Sequence, residues 1–258
     1  APHDMLIVQK FEQNASKKQG FIPRSSGWYR KHFYLPKDWD GSTIWWRCEG
    51  SFHKTFVYFN GVFMKVHKAG YTSFSVRLDN HSAVRYGQGS PNVLALFVDA
   101  SSGTGWWYEG GGLMRHNYIM KANQAHITED TAWVSAAPKL DGSKESVFTV
   151  KSQVSSPGET EGLEEGALTL SVTVTDPDGQ RAGSSSAAGI PGKEIAMDIV
   201  VGNTQLWSVQ TPKLYTVSFH LLSETGESLD TLNISTGSRR VQFSPSVGLR
   251  INDERVKL

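Results

Sequence analysis

Short segments that alternate apolar and polar side chains constrain the fold of this chain more than any other feature. In the segment from Ala167 to Val174, leucine and valine alternate with serine or threonine, which is typical of a β-strand with one buried face. The segment ends at the turn Asp176-Pro177-Asp178-Gly179, in which proline presets φ and glycine takes the final position. Similar segments recur along the 258 residues. The sequence therefore predicts an all-β fold.

Two groups of such segments predict two domains, over residues 1–130 and 131–242. Asn60-Gly61 is the best hairpin signal, because both residues tolerate the positive φ of a type I′ turn. Ser155–Gly166 and Gly179–Gly192 are rich in glycine, serine and charge, and are predicted to be mobile hairpin loops. The other strands are predicted at Trp28–Tyr34, Thr43–Glu49, Thr55–Phe59, Tyr71–Leu78, Val93–Val98, Leu113–Met120, Ser146–Gln153, Ile195–Val201, Tyr215–Leu222 and Leu229–Thr236.

Composition and charge argue against several classes of function. The net charge of +1 gives no basis for nucleic-acid binding, which normally needs a strongly basic patch. No apolar run approaches the roughly 20 residues of a membrane span, and no signal peptide opens the chain. The single cysteine, Cys48, is predicted to be a small buried side chain. The eight histidines show no zinc-binding spacing, so we predict no metal site and no cofactor.

The loop from Gly105 to Arg115 concentrates the residue types that bind carbohydrate. Flat aromatic faces stack on sugar rings, a carboxylate accepts hydrogen bonds from ring hydroxyls, and glycines allow sharp turns and close approach to a partner. The alternative is a buried aromatic corner, in which the carboxylate of Glu109 pairs with a neighbour such as Arg115. The predicted substrate-binding residues are Glu109, Trp106, Trp107, Tyr108 and Arg115.

The same loop resembles a motif in the sugar-binding domain of glycoside hydrolase family 2, the β-galactosidase and β-glucuronidase family. Further stretches resemble motifs of that family and occur in the family's order. They are Pro2–Asp4, Gly27–Phe33, Phe52–Gly61, Leu206–Tyr215 and Gly248–Leu258. The resemblance covers nearly the whole chain. It implies a jelly-roll sandwich, then an immunoglobulin-like sandwich, and then a hairpin over residues 243–258 that leads towards a catalytic barrel.

The resemblance also implies that the catalytic machinery lies elsewhere. In this family two catalytic glutamates lie in a (β/α)8 barrel C-terminal to the two sandwiches. This sequence contains no counterpart of the family's Asn-Glu motif, and a barrel of roughly 250 residues does not fit in what remains. We therefore expect no catalytic residue here and no hydrolysis by this chain alone. Ala1 also follows the position of a strand that most members have, so we expect a trimmed N-terminus.

The function that the resemblance implies is that of the non-catalytic N-terminal part of a retaining, β-galactosidase-like glycosidase. It would shape the sugar subsite and pack against its own barrel, with an exposed apolar patch around residues 106–108 and the C-terminal hairpin, and with Glu109 at least partly accessible. The sodium- and galactose-binding residues of bacterial β-galactosidase are not expected, because Trp106 and Arg24 stand at two of those positions. Two alternatives are a stand-alone carbohydrate-binding module and a purely structural pair of sandwiches. The sequence does not assign a compartment.

Overall fold

The computed structural model describes residues 2–103, 105–139, 141–156 and 168–257. Within those ranges the only helical elements are two short 3₁₀ turns, Lys17–Gln19 and Lys37–Trp39, and the remaining regular structure is β-strand. The strands cluster into two compact units, Ala1–Ala122 and Asn123–Leu258. The predicted all-β class is confirmed, and the sheets formed by the described residues include no barrel.

Ten strands in three sheets are formed by the described part of the first unit. The strands are β1 (His3–Asp4), β2 (Ser26–Phe33), β3 (Thr43–Cys48), β4 (Ser51–Phe52), β5 (Lys54–Phe59), β6 (Val62–His67), β7 (Phe74–Arg77), β8 (Asn92–Asp99), β9 (Gly112–Leu113) and β10 (Asn117–Ala122). The two larger sheets have the strand orders β2-β8-β5-β6 and β10-β3-β7, and the small sheet has the order β1-β9-β4.

The core of the first unit is built from side chains of the two larger sheets. Burial alternates along β8, where Leu94, Leu96 and Val98 are buried and the residues between them are half-buried. Trp46 and Cys48 on β3 belong to the same buried cluster, so the predicted burial of the cysteine is confirmed. Full burial of a large apolar side chain contributes about 1.5–3 kcal/mol, so the alternation seen in the sequence is the main source of stability here.

The hairpin predicted at Asn60-Gly61 is confirmed. These two residues connect β5 to β6 with φ values of 49° and 87°, the positive values that a type I′ turn needs at both central positions. The side chain of Asn60 also ties the turn to β8, because its Oδ1 accepts a hydrogen bond of 2.7 Å from the backbone N–H of Val93.

The described residues of the second unit form twelve strands in four sheets. The strands are β11 (His126–Ile127), β12 (Trp133–Pro138), β13 (Ser146–Ser152), β14 (Val154–Ser155), β15 (Leu168–Thr175), β16 (Arg181–Ala188), β17 (Ile195–Val201), β18 (Tyr215–Ser223), β19 (Ser228–Thr236), β20 (Val241–Ser244), β21 (Gly248–Ile251) and β22 (Glu254–Arg255). The sheets have the orders β16-β15-β18-β19, β12-β13-β17, β11-β14 and β20-β21-β22.

One predicted loop of the second unit is wrong. Most of Gly179–Gly192 is the strand β16, which pairs antiparallel with β15 with one register shift, next to Ala182. Its alanines, serines and Gly183 look like a loop in the sequence, but a Cβ on Gly183 would press on Ile199. Close packing therefore requires a glycine at position 183, and the small residues of this stretch do not indicate a mobile loop. The other predicted loop, Ser155–Gly166, lies almost wholly outside the described residues.

Candidate functional site

The loop from Gly105 to Arg115, which we call the aromatic loop, is anchored to strand β1 by the carboxylate of Asp4. Strand β1 pairs antiparallel with β9, which brings Asp4 beside the loop. Its Oδ1 accepts hydrogen bonds from the backbone N–H groups of Leu6 at 2.9 Å and Gly111 at 3.1 Å. Its Oδ2 accepts a hydrogen bond of 2.6 Å from the hydroxyl of Tyr108. Two of the motifs found in the sequence therefore meet in space.

The three consecutive glycines of the loop are required by packing within the first unit. Gly110 and Gly112 have φ values of 73° and 129°, in the region that side chains other than glycine rarely adopt. A Cβ on Gly112 would also overlap the carbonyl of His3 and the hydroxyl of Tyr29. The predicted sharp turning is confirmed, and the close approach that the glycines allow is to the protein's own chain.

Glu109 is buried, so the expectation that it is at least partly accessible is wrong. Only 2% of its side chain is exposed, and its Oε2 lies 2.5 Å from Nη2 of Arg24. Arg24 also donates a hydrogen bond of 3.1 Å from Nη1 to the carbonyl of Ser102. Arg115, the partner considered from the sequence, is exposed. Local sequence could not reveal the actual pairing, because 85 residues separate Arg24 from Glu109.

Gln19 completes this network, and sequence reasoning missed it. Its side chain is 5% exposed, donates a hydrogen bond of 2.5 Å from Nε2 to the carbonyl of Trp107, and accepts one of 3.4 Å at Oε1 from the backbone N–H of Glu109. A glutamine that follows two lysines gives no signal of burial. We call Gln19, Arg24 and Glu109 the polar clamp, because their hydrogen bonds hold the backbone at Ser102, Trp107 and Glu109.

The polar clamp leaves two indole rings facing solvent. Trp106 and Trp107 are 79% and 64% exposed, whereas Tyr108 is half-buried. Lys18 Nζ lies 4.4 Å from the centroid of the Trp106 ring, within the range of a cation–π interaction. The structure therefore brings the predicted aromatic residues together, with two of them available for contact and the third fixed by Asp4.

An open groove of about 350 Å³ runs beside the loop, and we call it the loop groove. The segment from Pro2 to Asp4 lines it together with Phe52 and residues 109–115. Glu109 is one of the lining residues, and its carboxylate is buried against Arg24. Arg115 is exposed at the groove with a φ of 58°. Glu109 and Arg115 therefore border the groove, whereas Trp106 and Trp107 face the solvent.

Exposed apolar side chains occur at both places where the sequence predicted a patch. In the aromatic loop they are the two indoles. In the C-terminal hairpin of the second unit, Phe243 is 79% exposed and Val241 is 57% exposed. Apolar side chains exposed singly are ordinary at a protein surface, so the contiguous patch stays a prediction.

Neither a metal cluster nor a membrane-spanning helix is found in the part of the chain that the structure describes. No three side chains among its histidines, cysteines, aspartates and glutamates are placed to hold a metal ion. None of its helical elements is long and apolar enough to cross a membrane.

Titration of Tyr108 gives a prediction about alkaline stability. Burial, the hydrogen bond to Asp4 and the charge of that carboxylate raise the pKa of Tyr108 well above its usual value. An unfolded tyrosine loses its proton near pH 10, so the stability contributed by Tyr108 is present below about pH 10 and is lost as the pH rises further. Denaturant unfolding between pH 8 and pH 11 should show a shallower alkaline decline in Tyr108→Phe than in the parent. Equal slopes would contradict this.

Comparison with solved structures identifies the class of fold. A family 2 glycosyl hydrolase of Bacteroides cellulosilyticus matches all of this chain with a TM-score of 0.85 and 26% identity, and the chain covers 34% of it. A β-glycosidase of Bacteroides vulgatus matches equally well, with a TM-score of 0.85 and 25% identity over all of the chain and 32% of that protein. The two units therefore share the fold of about a third of each of these glycosidases. That third is all-β in this chain, and the sheets of its described residues include no barrel.

Sequence comparison agrees with the family resemblance that the motifs carry. Residues 125–239 match the model for Glycosyl hydrolases family 2. The chain is 27% identical to a β-galactosidase of Bacteroides ovatus over all of its length and 30% of that protein. It is 30% identical to a β-galactosidase of Thermoanaerobacter pseudethanolicus, and 27% identical to a β-glucuronidase of Formosa agariphila. The chain spans only 25–31% of the length of these relatives.

Proposed function

We propose that this chain is the non-catalytic part of a retaining, β-galactosidase-like glycosidase. Its first unit, a jelly roll, presents the aromatic loop to the sugar at the mouth of a catalytic barrel, and its second unit, an immunoglobulin-like sandwich, supports that barrel. Retaining hydrolysis uses two carboxyl groups about 5–5.5 Å apart, which would be supplied by the barrel. The observation that carries the proposal is the exposure of two indoles on a loop that the polar clamp holds in place.

The two indoles are the proposed contacts to the sugar. An exposed ring on a fixed backbone stacks on a pyranose face without the entropic cost of ordering a mobile loop. Arg115 borders the loop groove and supplies hydrogen-bond donors to ring hydroxyls. Tyr108 and Glu109 hold the loop in place for these contacts, since Tyr108 is hydrogen-bonded to Asp4 and Glu109 forms an ion pair with Arg24.

The test uses the longer protein that contains this chain together with a catalytic barrel. Trp106→Ala/Trp107→Ala should lower kcat/KM for a nitrophenyl galactoside or glucuronide by roughly 10- to 100-fold, because each stacked ring contributes about 0.5–1.5 kcal/mol beyond area burial. Trp28→Ala is the matched control, since Trp28 is a 51% exposed tryptophan on β2 of the same unit. Unchanged kinetics in the double variant would show that the loop is structural. The present chain, assayed alone, should show no turnover.

A stand-alone carbohydrate-binding module is the second candidate, and the solvent exposure of both indoles favours it. Titration of the isolated chain with galactose, glucuronic acid and mannose, followed by tryptophan fluorescence, separates the two functions. Saturable binding that disappears in Trp106→Ala/Trp107→Ala would support a module that acts alone. If none of the sugars changes the fluorescence, the chain is not a stand-alone module. The proposed contribution to a sugar subsite then remains, because that subsite is complete only with the barrel.

A further inference from the structure

A second cavity of the first unit lies between strands that end their sheets. This cavity, which we call the edge cleft, has a volume of about 400 Å³, within the range of ligand-binding sites. Residues of β2 line one side and residues of β10 line the other. Among the described residues, β2 and β10 are the end strands of the two larger sheets, so each leaves one row of main-chain groups without a neighbouring strand.

The floor of the edge cleft is the hydrophobic core itself. Trp46, Leu94 and Leu96 line it, and all three are among the buried side chains of the unit. The cleft is therefore a gap between the sheets that an apolar side chain could enter directly, and not a dent in a polar surface.

The polar groups of the edge cleft are donors and cations. Nδ2 of Asn117 on β10 is buried and has no hydrogen-bond partner among the described residues, which costs about 1–3 kcal/mol until an acceptor reaches it. Lys31, an exposed residue on β2, is the cation of this lining, since the guanidinium of the neighbouring Arg30 lies 5.2 Å from the centroid of the Trp28 ring. No carboxylate is among the described residues that line the cleft. Lys31 lies opposite Leu94 in the strand register, so its position belongs to the inward face of β2. The cleft is therefore complementary to a ligand that carries hydrogen-bond acceptors and a carboxylate.

We propose that the edge cleft takes an extended polypeptide strand, which pairs with the open edge of β10 and fills the gap between the sheets. The lining residues of β2 run from Tyr29 to Phe33, about 13 Å at the rise of a strand, so the added strand needs about five residues. Alternate apolar side chains would rest on the core floor. A main-chain carbonyl would accept from Asn117 Nδ2, and a carboxylate would pair with Lys31.

A strand suits the edge cleft better than a compact small molecule for a geometric reason. Strand addition supplies main-chain donors and acceptors to an edge, while pockets for alternate side chains select the sequence. The edge of β10 and the apolar floor beneath it meet both requirements. Lys31 could also have the opposite effect and block the added strand, because an inward-pointing charge is one way in which proteins prevent edge pairing. The experiment distinguishes attraction of a strand by Lys31 from its exclusion.

The experiment joins a probe strand to the N-terminus of the chain through a ten-residue Gly/Ser linker, which makes binding intramolecular. The probe is a seven-residue segment of alternating glutamate and valine, and the matched control replaces its inner glutamates with proline, which cannot donate to a ladder. The amides of β10 that do not pair with β3 should exchange about tenfold more slowly in the chain that carries the glutamate–valine probe than in the chain that carries the proline control. The side-chain NH₂ signals of Asn117 should also shift.

Three results would overturn this inference. One is equal exchange of β10 with both probes. Another is that an apolar dye perturbs the fluorescence of Trp46 whereas neither probe strand does, which would assign the cleft to a small molecule. A third is slower exchange only after Lys31→Val, which would show that Lys31 closes the edge. None of these outcomes depends on sugar binding, so the proposed glycosidase role is tested separately.

Discussion

Replacing Arg24 with methionine is expected to lower the free energy of unfolding of the first unit by about 3–5 kcal/mol, because it leaves the carboxylate of Glu109 buried without its cation. The carbonyl of Ser102 loses a donor in the same variant. The free energy is measured from the hydrogen exchange of the Val98 amide, which lies on β8 in the core of that unit. A loss of this size is a large part of the 5–15 kcal/mol that stabilises an ordinary domain.

Two further variants separate the buried charge from the loss of an arginine side chain. Arg77→Met removes an arginine of the same unit from its pair with Asp79, whose side chains are 43% and 11% exposed, and should cost at most about 1 kcal/mol. Arg24→Met/Glu109→Leu removes both charges of the polar clamp and should recover most of the stability, as buried pairs replaced by apolar groups commonly do. If Arg24→Met costs no more than Arg77→Met, the clamp does not hold the loop.

Replacing Gly112 with alanine is expected to cost roughly 2–6 kcal/mol, since a φ of 129° strains any side chain and a Cβ would overlap neighbouring atoms. The overlap would fall on the carbonyl of His3 and the hydroxyl of Tyr29, so the pairing of β1 with β9 would have to separate. Denaturant unfolding of the variant, followed by tryptophan fluorescence, gives the free energy of unfolding.

Gly61→Ala is the matched control for that substitution. Gly61 also has a positive φ, of 87°, but a Cβ there meets no atom within 4 Å. It should therefore carry only the backbone strain of about 1–3 kcal/mol. Equal losses in the two variants would mean that the contacts of Gly112 with His3 and Tyr29 contribute nothing, and that the glycine run serves the turn alone.

The polar clamp also changes the interpretation of Glu109. A carboxylate between aromatic residues and glycines suggests contact with sugar hydroxyls when only the sequence is known. Its pairing with Arg24 at 2.5 Å makes it part of the support of the loop, and the contact surface passes to Trp106 and Trp107. Direct contact of Glu109 with substrate stays a prediction, and it would require the carboxylate to leave Arg24.

Local patterns in the sequence were sufficient for most of the β-strands and for the family resemblance. Period-two alternation in Leu168–Thr175 and the turn at Asn60-Gly61 depend on neighbouring residues and on the conformations that each residue allows, so they can be recognised without tertiary structure. The ordered motifs from Pro2–Asp4 to Gly248–Leu258 carried that resemblance for the same reason, because each is a short, contiguous stretch.

Only the tertiary structure decided which groups meet. The pairing of Arg24 with Glu109, the burial of Gln19 against Trp107 and the pairing of β16 with β15 join residues that are distant in sequence or lie in a stretch of small residues with a weak strand signal. Burial and hydrogen bonding depend on what the folded chain places around a group, so a carboxylate that looks free in the sequence can be neutralised from 85 residues away. Local propensity carries no information about that distance.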